Sequence, residues 1–247
     1  MENLSLVIPL YNESACLPGL IAELDDVIVK IDANTSVFMI NDGSKDNTGE
    51  ILDELAKTRS WLKVINKTNS GHGPTIYLGY QKAIEAKADW VFQCDSDQQI
   101  PLKELVNLWQ QRKSGTTILG VRANRQDPGE RLLVSSILRL AIKVLFNVSV
   151  RDANCPFRLF PANALKMFLG HIPSNTFAPN VFISIMAKSS MNVQETYVSH
   201  LPRMAGENSI NRINLLKVCL RCANQLMNFW RSKESWPKLQ NAPHSSL

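Results

Sequence analysis

Asp95 and Asp97 stand one residue apart in the stretch QCDSDQQIP, directly after the apolar run Trp90-Val91-Phe92. Two carboxylates this close raise each other's pKa unless water solvates both or a cation sits between them. In extended backbone Asp95, Asp97 and Gln99 project to one side, so a chain that curls after the strand brings their oxygens toward one point. A calcium loop of the EF-hand type does not fit: counted from Asp95, position 6 is Ile100 instead of Gly and position 12 is Val106 instead of Glu. Two or three protein oxygens suit Mg2+ or Mn2+, which retain water or substrate-phosphate ligands. The expected chemistry is a divalent cation completed by a diphosphate. Asp42, at the end of another apolar run, suits the other end of a nucleotide, because such an acid accepts hydrogen bonds from ribose hydroxyls or base N–H groups. Neither G-x-G-x-x-G nor the Walker G-x-x-x-x-G-K-[ST] occurs at the first turn, which disfavours dinucleotide and P-loop enzymes. Asp46 or Asn47 in NDGSKDNT reads as the cap of a following helix.

The elements that must position these residues alternate. LSLVIPL (4–10), VFMI (37–40), LKVI (62–65), WVFQC (90–94) and TTILGV (116–121) read as strands. Helical patterns near 15–30, 47–58, 75–87 and after Pro101 separate them. Such alternation predicts an α/β fold with a mostly parallel sheet sandwiched by helices. Ligands of such sheets bind at the carboxyl ends of the strands. Four polar clusters fall there: Tyr11-Asn12-Glu13, Asn41 to Ser44, Asn66 to Gly73, and Asp95 to Asp97.

The chain of 247 residues carries a net charge of +5 that is unevenly divided. Residues 1–111 hold 9 Lys and Arg against 16 Asp and Glu, a net of −7, whereas residues 112–247 hold 18 against 6, a net of +12. The basic half is expected to meet phosphates or an anionic membrane surface. Nucleic acid is not expected as a partner, since the aromatic residues of that half fall in apolar helical stripes and do not interleave with the basic ones. Five cysteines at irregular spacing, and a first stretch without a basic n-region, favour a reducing cytoplasm. Cys219-x-x-Cys222 lies in a helical pattern and reads as packing. The segment 132–150 is long and apolar, yet Arg139 and Lys143 interrupt it along a ridge with Arg131. That pattern predicts an amphipathic helix, packed on the core or lying on a bilayer, and not a spanning segment. A second stripe, Ile213, Leu216, Leu220, Ala223, Met227 and Trp230, is expected to pack on the core.

VIPLYNE (7–13), NDGSKDNT (41–48), NSGHG (69–73), CDSDQQIP (94–101) and DANCPFRLF (152–160), in this order and spacing, resemble the family-2 inverting glycosyltransferases. The nearest branch looks like the dolichol- or polyprenyl-phosphate sugar synthases. The resemblance implies a GT-A fold and a nucleotide-sugar donor, GDP- or UDP-linked. It implies Pro9, Tyr11 and Glu13 as nucleotide contacts, Asp42 as a base or ribose contact, and Asp95 and Asp97 as metal or diphosphate residues with Gln99 as a further ligand. Arg131, Arg158, Arg203 and Ser209 resemble phosphate-binding positions, with Asp97, Arg131 and Arg158 expected to serve the chemistry directly. His72 is read as a loop histidine without a catalytic role.

On this resemblance, residues 1–210 form the glycosyltransferase domain, with a nucleotide-binding half up to 121 and an acceptor half from 122, and 211–247 form a helix and a frayed tail. The expected reaction moves a hexose, with inversion, onto a polyprenyl or dolichyl phosphate at the cytoplasmic face of a membrane. A phosphate acceptor is already an anionic nucleophile and needs no general base, which fits the acid-poor second half. Arg122, with Arg131, Arg158 and Arg203, would hold the phosphates, partly by bidentate pairing. The absence of the transmembrane hairpin found in many relatives implies peripheral membrane contact or a separate anchoring subunit. A hydroxyl acceptor in polysaccharide or lipooligosaccharide assembly, with Asp152 recruited as base, is the second reading. A noncatalytic nucleotide-binding partner subunit is the third.

Overall fold

The computed structural model describes residues 1–123, 129–202 and 212–236, apart from the side chains of 130, 131, 212–218 and 235. Strands β1 (Asn3–Leu10), β2 (Asn34–Asn41), β3 (Leu62–Asn66) and β4 (Trp90–Gln93) alternate with helices α1 (Leu17–Lys30), α2 (Thr48–Thr58) and α3 (His72–Glu85). Helix α4 (Glu104–Gln111), β5 (Thr116–Arg122), α5 (Gly129–Phe146), β6 (Arg158–Pro161), α6 (Ala162–Leu169), α7 (Pro179–Ser190), β7 (Asn192–Val198) and α8 (Arg212–Arg231) follow, then one 3-10 turn (Lys233–Ser235). The sheet has seven strands in the order β3-β2-β1-β4-β6-β5-β7. All neighbours run parallel except β6, which is antiparallel to both β4 and β5.

The central strands are apolar on both faces because both faces are covered. Along β1, Leu4, Leu6, Ile8 and Leu10 enter the core beneath α1, α2 and α4. Val7 enters the opposite core, where α3, α6 and α7 supply Ile76, Tyr80, Leu165 and Ile183. Val37 and Met39 of β2 divide from Phe38 and Ile40 in the same way. Helix α3 crosses the sheet closely at Gly79, where a Cβ would lie 2.3 Å from Val7 Cγ1.

Because β2 and β3 lie to one side of β1 and β4 to the other, the chain reverses its winding between β1 and β4. A crevice opens at the carboxyl ends there, which is where open α/β sheets take ligands. Tyr11 follows β1 and Asp95 follows β4, so both stand at its mouth.

Of the two long helices of the basic half, α5 is amphipathic as expected and α8 differs from its expected packing. In α5, Ile142 is fully buried with Leu138, Ala141 and Leu145 around it, while Leu133, Ile137, Leu140 and Val144 are exposed. Among the described side chains of α8, Leu226 and Phe229 are buried, whereas Leu220 and Met227, expected in the core, face outward. Phe229 makes an edge contact with Phe182 at 4.7 Å and lies 4.4 Å from Trp236, and this aromatic cluster sets the rotation of the helix. Among the described residues no helix is long and apolar enough to cross a membrane.

Candidate active site

The loops at the carboxyl ends are bolted to one another. Asn12, left-handed at φ 55°, donates its N–H to Ser44 Oγ and accepts from the Lys45 N–H at Oδ1. The Glu13 N–H donates to Thr48 Oγ1 and the Ser14 N–H to Asp46 Oδ2. Asp46 also accepts from the Thr48 N–H and hydroxyl, so it performs the capping expected of it, while Asn47 makes no side-chain cap bond. Burial pushes the Asp46 carboxyl upward, but the bonds from Thr48 and Ser14 outweigh it and hold the pKa at about 2. The polar stretch NDGSKDNT thus fixes the backbone of Tyr11-Asn12-Glu13.

Asp42 is buried and organises the third loop. Its Oδ1 accepts from the Ser70 N–H and the Lys67 ammonium, and its Oδ2 from the Gly71 N–H. The Lys67 ammonium also reaches Thr68 O and Ser70 Oγ. This clasp delivers His72 to the first position of α3, where its Nε2 lies 3.6 Å from Asp95 Oδ1. His72 is therefore a helix-start residue facing the crevice, in contrast to the loop histidine expected. Lys67 left no pattern in the sequence by which its pairing with Asp42 could be read.

Pro9, Tyr11, Glu13, Asp42, Gly71, His72, Asp95 and Asp97 line one cavity of about 280 Å³. The four expected nucleotide contacts, Pro9, Tyr11, Glu13 and Asp42, thereby share one cavity with Asp95 and Asp97. Asp95 and Asp97 also border a second, smaller cavity of about 40 Å³, with Gln99, Arg122 and His200 on its walls. The two carboxylates thus form the partition between a larger chamber and a smaller one that carries Arg122 and His200. His200 follows β7, far in sequence from the other lining residues, and nothing in its local sequence marked it.

The turn that carries the carboxylates is held from outside. Gln98 is left-handed at φ 54°, and its Nε2 donates to Glu23 Oε1 at 2.6 Å. Glu23 Oε2 accepts from the Leu102 N–H at 2.8 Å, so a residue of α1 holds the stretch after the carboxylates at both Gln98 and Leu102. The Gln99 N–H donates to Asp97 Oδ1, and the Gln99 side chain donates to Leu201 O. Burial, then the charges of Asp95 and Asp97, push the Cys94 thiol well up, so Cys94 is no nucleophile at neutral pH.

The residues fit a divalent cation of the Mg2+ or Mn2+ kind. No cluster of three His, Cys, Asp or Glu side chains with metal-holding geometry occurs among the described residues. Two carboxylates and the Gln99 amide oxygen at the partition leave the rest of such an ion's shell to water and phosphate oxygens, as these ions prefer.

The geometry places two of the expected site residues, Arg158 and Asp152, away from the linings of both cavities. Arg158 is fully buried: its guanidinium donates to the carbonyls of Cys155, Ala153 and Asn180 and to Ser184 Oγ. It faces the interior because β6 directs it between β4 and α7, and burial lowers its pKa without removing the charge that its bonds require. Asp152 does not border either cavity as an acceptor contact. Its two oxygens accept from Arg122 Nε at 2.8 Å and Nη2 at 2.9 Å, a bidentate pair that aims Arg122 along the chamber wall. The backbone of Arg131 lies in α5, while its side chain, and the whole of Arg203 and Ser209, lie outside the described residues.

A mostly parallel sheet with β6 reversed, a crevice at the β1/β4 switch and a paired-aspartate partition define a GT-A glycosyltransferase fold. A mannosyltransferase from Pyrobaculum calidifontis in complex with GDP-Man and Mn2+ has the same fold, with a TM-score of 0.59 and 16% identity over 96% of this chain and 65% of that one. So does glucosyl-3-phosphoglycerate synthase from Mycobacterium tuberculosis in complex with Mn2+ and UDP, with a TM-score of 0.64 and 14% identity over 93% and 80% of the two chains. The chain belongs to glycosyl transferase family 2, whose model matches residues 5–169. It is similar to undecaprenyl-phosphate 4-deoxy-4-formamido-L-arabinose transferases. The one from Pectobacterium atrosepticum is 30% identical over 90% of this chain and 68% of its own length. The one from Pseudomonas aeruginosa strain LESB58 is 27% identical over 88% of this chain, which spans 63% of that relative's length.

Proposed function

We propose that this chain transfers a sugar, read from the family resemblance as a hexose, from a nucleotide-sugar to a polyprenyl phosphate with inversion. The observation that carries this reading is the partition by Asp95 and Asp97, with a nucleotide-sized chamber on one side and an arginine-bearing one on the other. The larger chamber takes the nucleotide against Pro9, Tyr11, Glu13 and Asp42. Asp95 and Asp97, with Gln99, hold the divalent cation, which when bound offsets the charge gathering on the departing diphosphate. Arg122, rigid on Asp152, draws the acceptor phosphate to the opposite side of the sugar, so that attack occurs in line with the leaving group and inverts the anomeric carbon.

The acceptor named by the relatives, undecaprenyl phosphate, agrees with the chemistry of this chamber. A hydroxyl acceptor needs a general base. Asp152, the candidate for that role, has both oxygens engaged by Arg122. A membrane surface would be met through α5, where exposed Leu133, Ile137, Leu140 and Val144 recur at helical spacing beside Arg139 and Lys143. That arrangement suits the anionic cytoplasmic leaflet.

Radiolabelled sugar from a panel of GDP- and UDP-hexoses and a UDP-pentose, offered with Mn2+ to a short polyprenyl phosphate, tests the proposal. The expected product is a labelled, mild-acid-labile lipid that disappears with EDTA and with Asp97→Asn. Donor hydrolysis without lipid labelling would move the acceptor to a hydroxyl-bearing glycan, and full transfer by Asp97→Asn would overturn the metal site.

A further inference from the structure

A buried polar chain runs from the interior to the first aspartate of the partition. Gln93, the last residue of β4, is fully buried, as is Tyr80, while Asn180 at the start of α7 is 3% exposed. Apolar residues usually fill such positions, and a buried amide must find partners for two donors and an acceptor. Gln93 finds them in one line. Its Nε2 donates to Asp95 Oδ1 at 3.2 Å, its Oε1 accepts from Asn180 Nδ2 at 2.9 Å, and Asn180 Oδ1 accepts from the Tyr80 hydroxyl at 3.0 Å.

The direction of this line is forced at the outer end. A carboxylate only accepts, so the Gln93 amide must turn its NH2 toward Asp95. Its oxygen then requires a donor, which the NH2 of Asn180 supplies at 2.9 Å, with the Tyr80 hydroxyl also within reach at 3.5 Å; the hydroxyl stands closer to Asn180 Oδ1, at 3.0 Å, and Tyr80 thus supports both amides. At the inner end the backbone of Asn180 is fixed: its main-chain carbonyl accepts from Arg158 Nη1 at 3.0 Å and from the Ser184 hydroxyl at 2.8 Å. Gln93 and Arg158 face each other across β4 and β6. The buried arginine therefore pins α7, α7 presents Asn180, and Asn180 sets Gln93.

We infer that Gln93 is a positioning residue for Asp95, held in its donating sense by Asn180 and Tyr80. Gln93 fixes the rotation of the Asp95 carboxylate at the partition, where two carboxylates one residue apart would otherwise swing apart by repulsion. It does so with a neutral amide, adding no third negative charge that would alter the balance of the site. Arg158 acts at the far end of the same relay. The inference rests on the proposed role of Asp95 in holding a divalent cation with a diphosphate.

The experiment is a Mn2+ titration of the full chain in the presence of UDP or GDP, followed by the electron paramagnetic resonance of free Mn2+. Thermal unfolding is recorded alongside it. Wild type and Asp95→Asn establish the site, and Gln93→Met removes the amide donor while keeping the side-chain length. Outer-sphere partners of metal ligands change affinity about 10- to 100-fold. A folded Gln93→Met with a loss of that size supports the inference. A folded Gln93→Met that binds Mn2+ as wild type does, while Asp95→Asn does not, overturns it and leaves the metal site standing. No Mn2+ binding by wild type with either nucleotide overturns the metal site and the inference together. If Gln93→Met does not fold, Tyr80→Phe, which deletes one oxygen and no carbon, decides: a two- to fivefold loss of affinity supports the relay, and unchanged affinity overturns it.

Discussion

Asp152→Asn separates the two acceptor chemistries, because Asp152 is a clamp for Arg122 in one and the general base in the other. In the structure its side chain is 7% exposed and that of Arg122 is 14% exposed, and two bonds of 2.8 and 2.9 Å join them. Asparagine keeps one acceptor oxygen and turns an NH2 toward the guanidinium. One charge-assisted bond is lost, worth about 1.5–3 kcal/mol, and Arg122 is left short of its counter-charge. Complete removal of a partner from a buried pair costs about 3–5 kcal/mol, which is an upper bound here because Arg122 borders an open chamber. The expected destabilisation is about 2–3 kcal/mol, read as a lower urea midpoint at constant slope. Arg122 keeps a bond to the remaining oxygen, so kcat for transfer to polyprenyl phosphate is expected to fall less than tenfold. Loss of a general base costs about 100- to 10,000-fold and removes the acidic limb of the pH–rate profile. An Asp152→Asn enzyme of unchanged stability that loses more than 100-fold in kcat, together with that limb, would refute the clamp.

Three further outcomes are expected. Gly73→Ala places a Cβ 2.1 Å from Thr176 O and 2.4 Å from Phe177 O, contacts that backbone atoms relieve only by moving α3 off the 176–177 loop; the cost is about 1–3 kcal/mol or more, seen in thermal unfolding, with weaker nucleotide binding because His72 moves with the helix. The Asp46 carboxyl, held at about 2 in the folded chain against an ordinary 3.8, adds stability that is fully present above about pH 4 and is lost as the pH falls toward 2; Asp46→Asn should flatten the melting temperature across that interval and leave its value at pH 7 lower. Exchange of Leu133, Ile137, Leu140 and Val144 for Ser should abolish co-sedimentation with anionic vesicles while nucleotide binding survives, and equal sedimentation of the variant would remove α5 from the membrane contact.

The first half of the fold was legible because its physics is local. Strands buried on both faces are short apolar runs, helices on a parallel sheet carry one apolar stripe, and the crevice must lie at the carboxyl ends, so Tyr11, Asp42 and Asp95 could be assigned to one edge from spacing alone. Asp95, Asp97 and Gln99 were grouped by their own sequence, and the three line one small cavity although the segment turns at Gln98. In the second half β6 and β7 are short or half-exposed, and β6 runs against its neighbours, a pairing that no local pattern announces. The rotation of α8 shows the same limit: its apolar residues circle the helix, so the face that is buried depends on Phe146, Phe182 and Trp236.

The residue types proposed to bind a nucleotide-sugar were legible in sequence, because carboxylates, glycines and prolines at fixed intervals limit what a turn can present. The role of each charged residue was decided by tertiary structure. Arg158 and Arg122 are both basic residues of strands in the same half, yet one is buried under α7 and the other lines a chamber. Desolvation makes the first a donor to backbone carbonyls, and a neighbouring carboxylate makes the second a directed cation. Gln93 gave no sign at all in sequence, since its function depends on Asn180 and Tyr80, which the fold alone brings within hydrogen-bond reach.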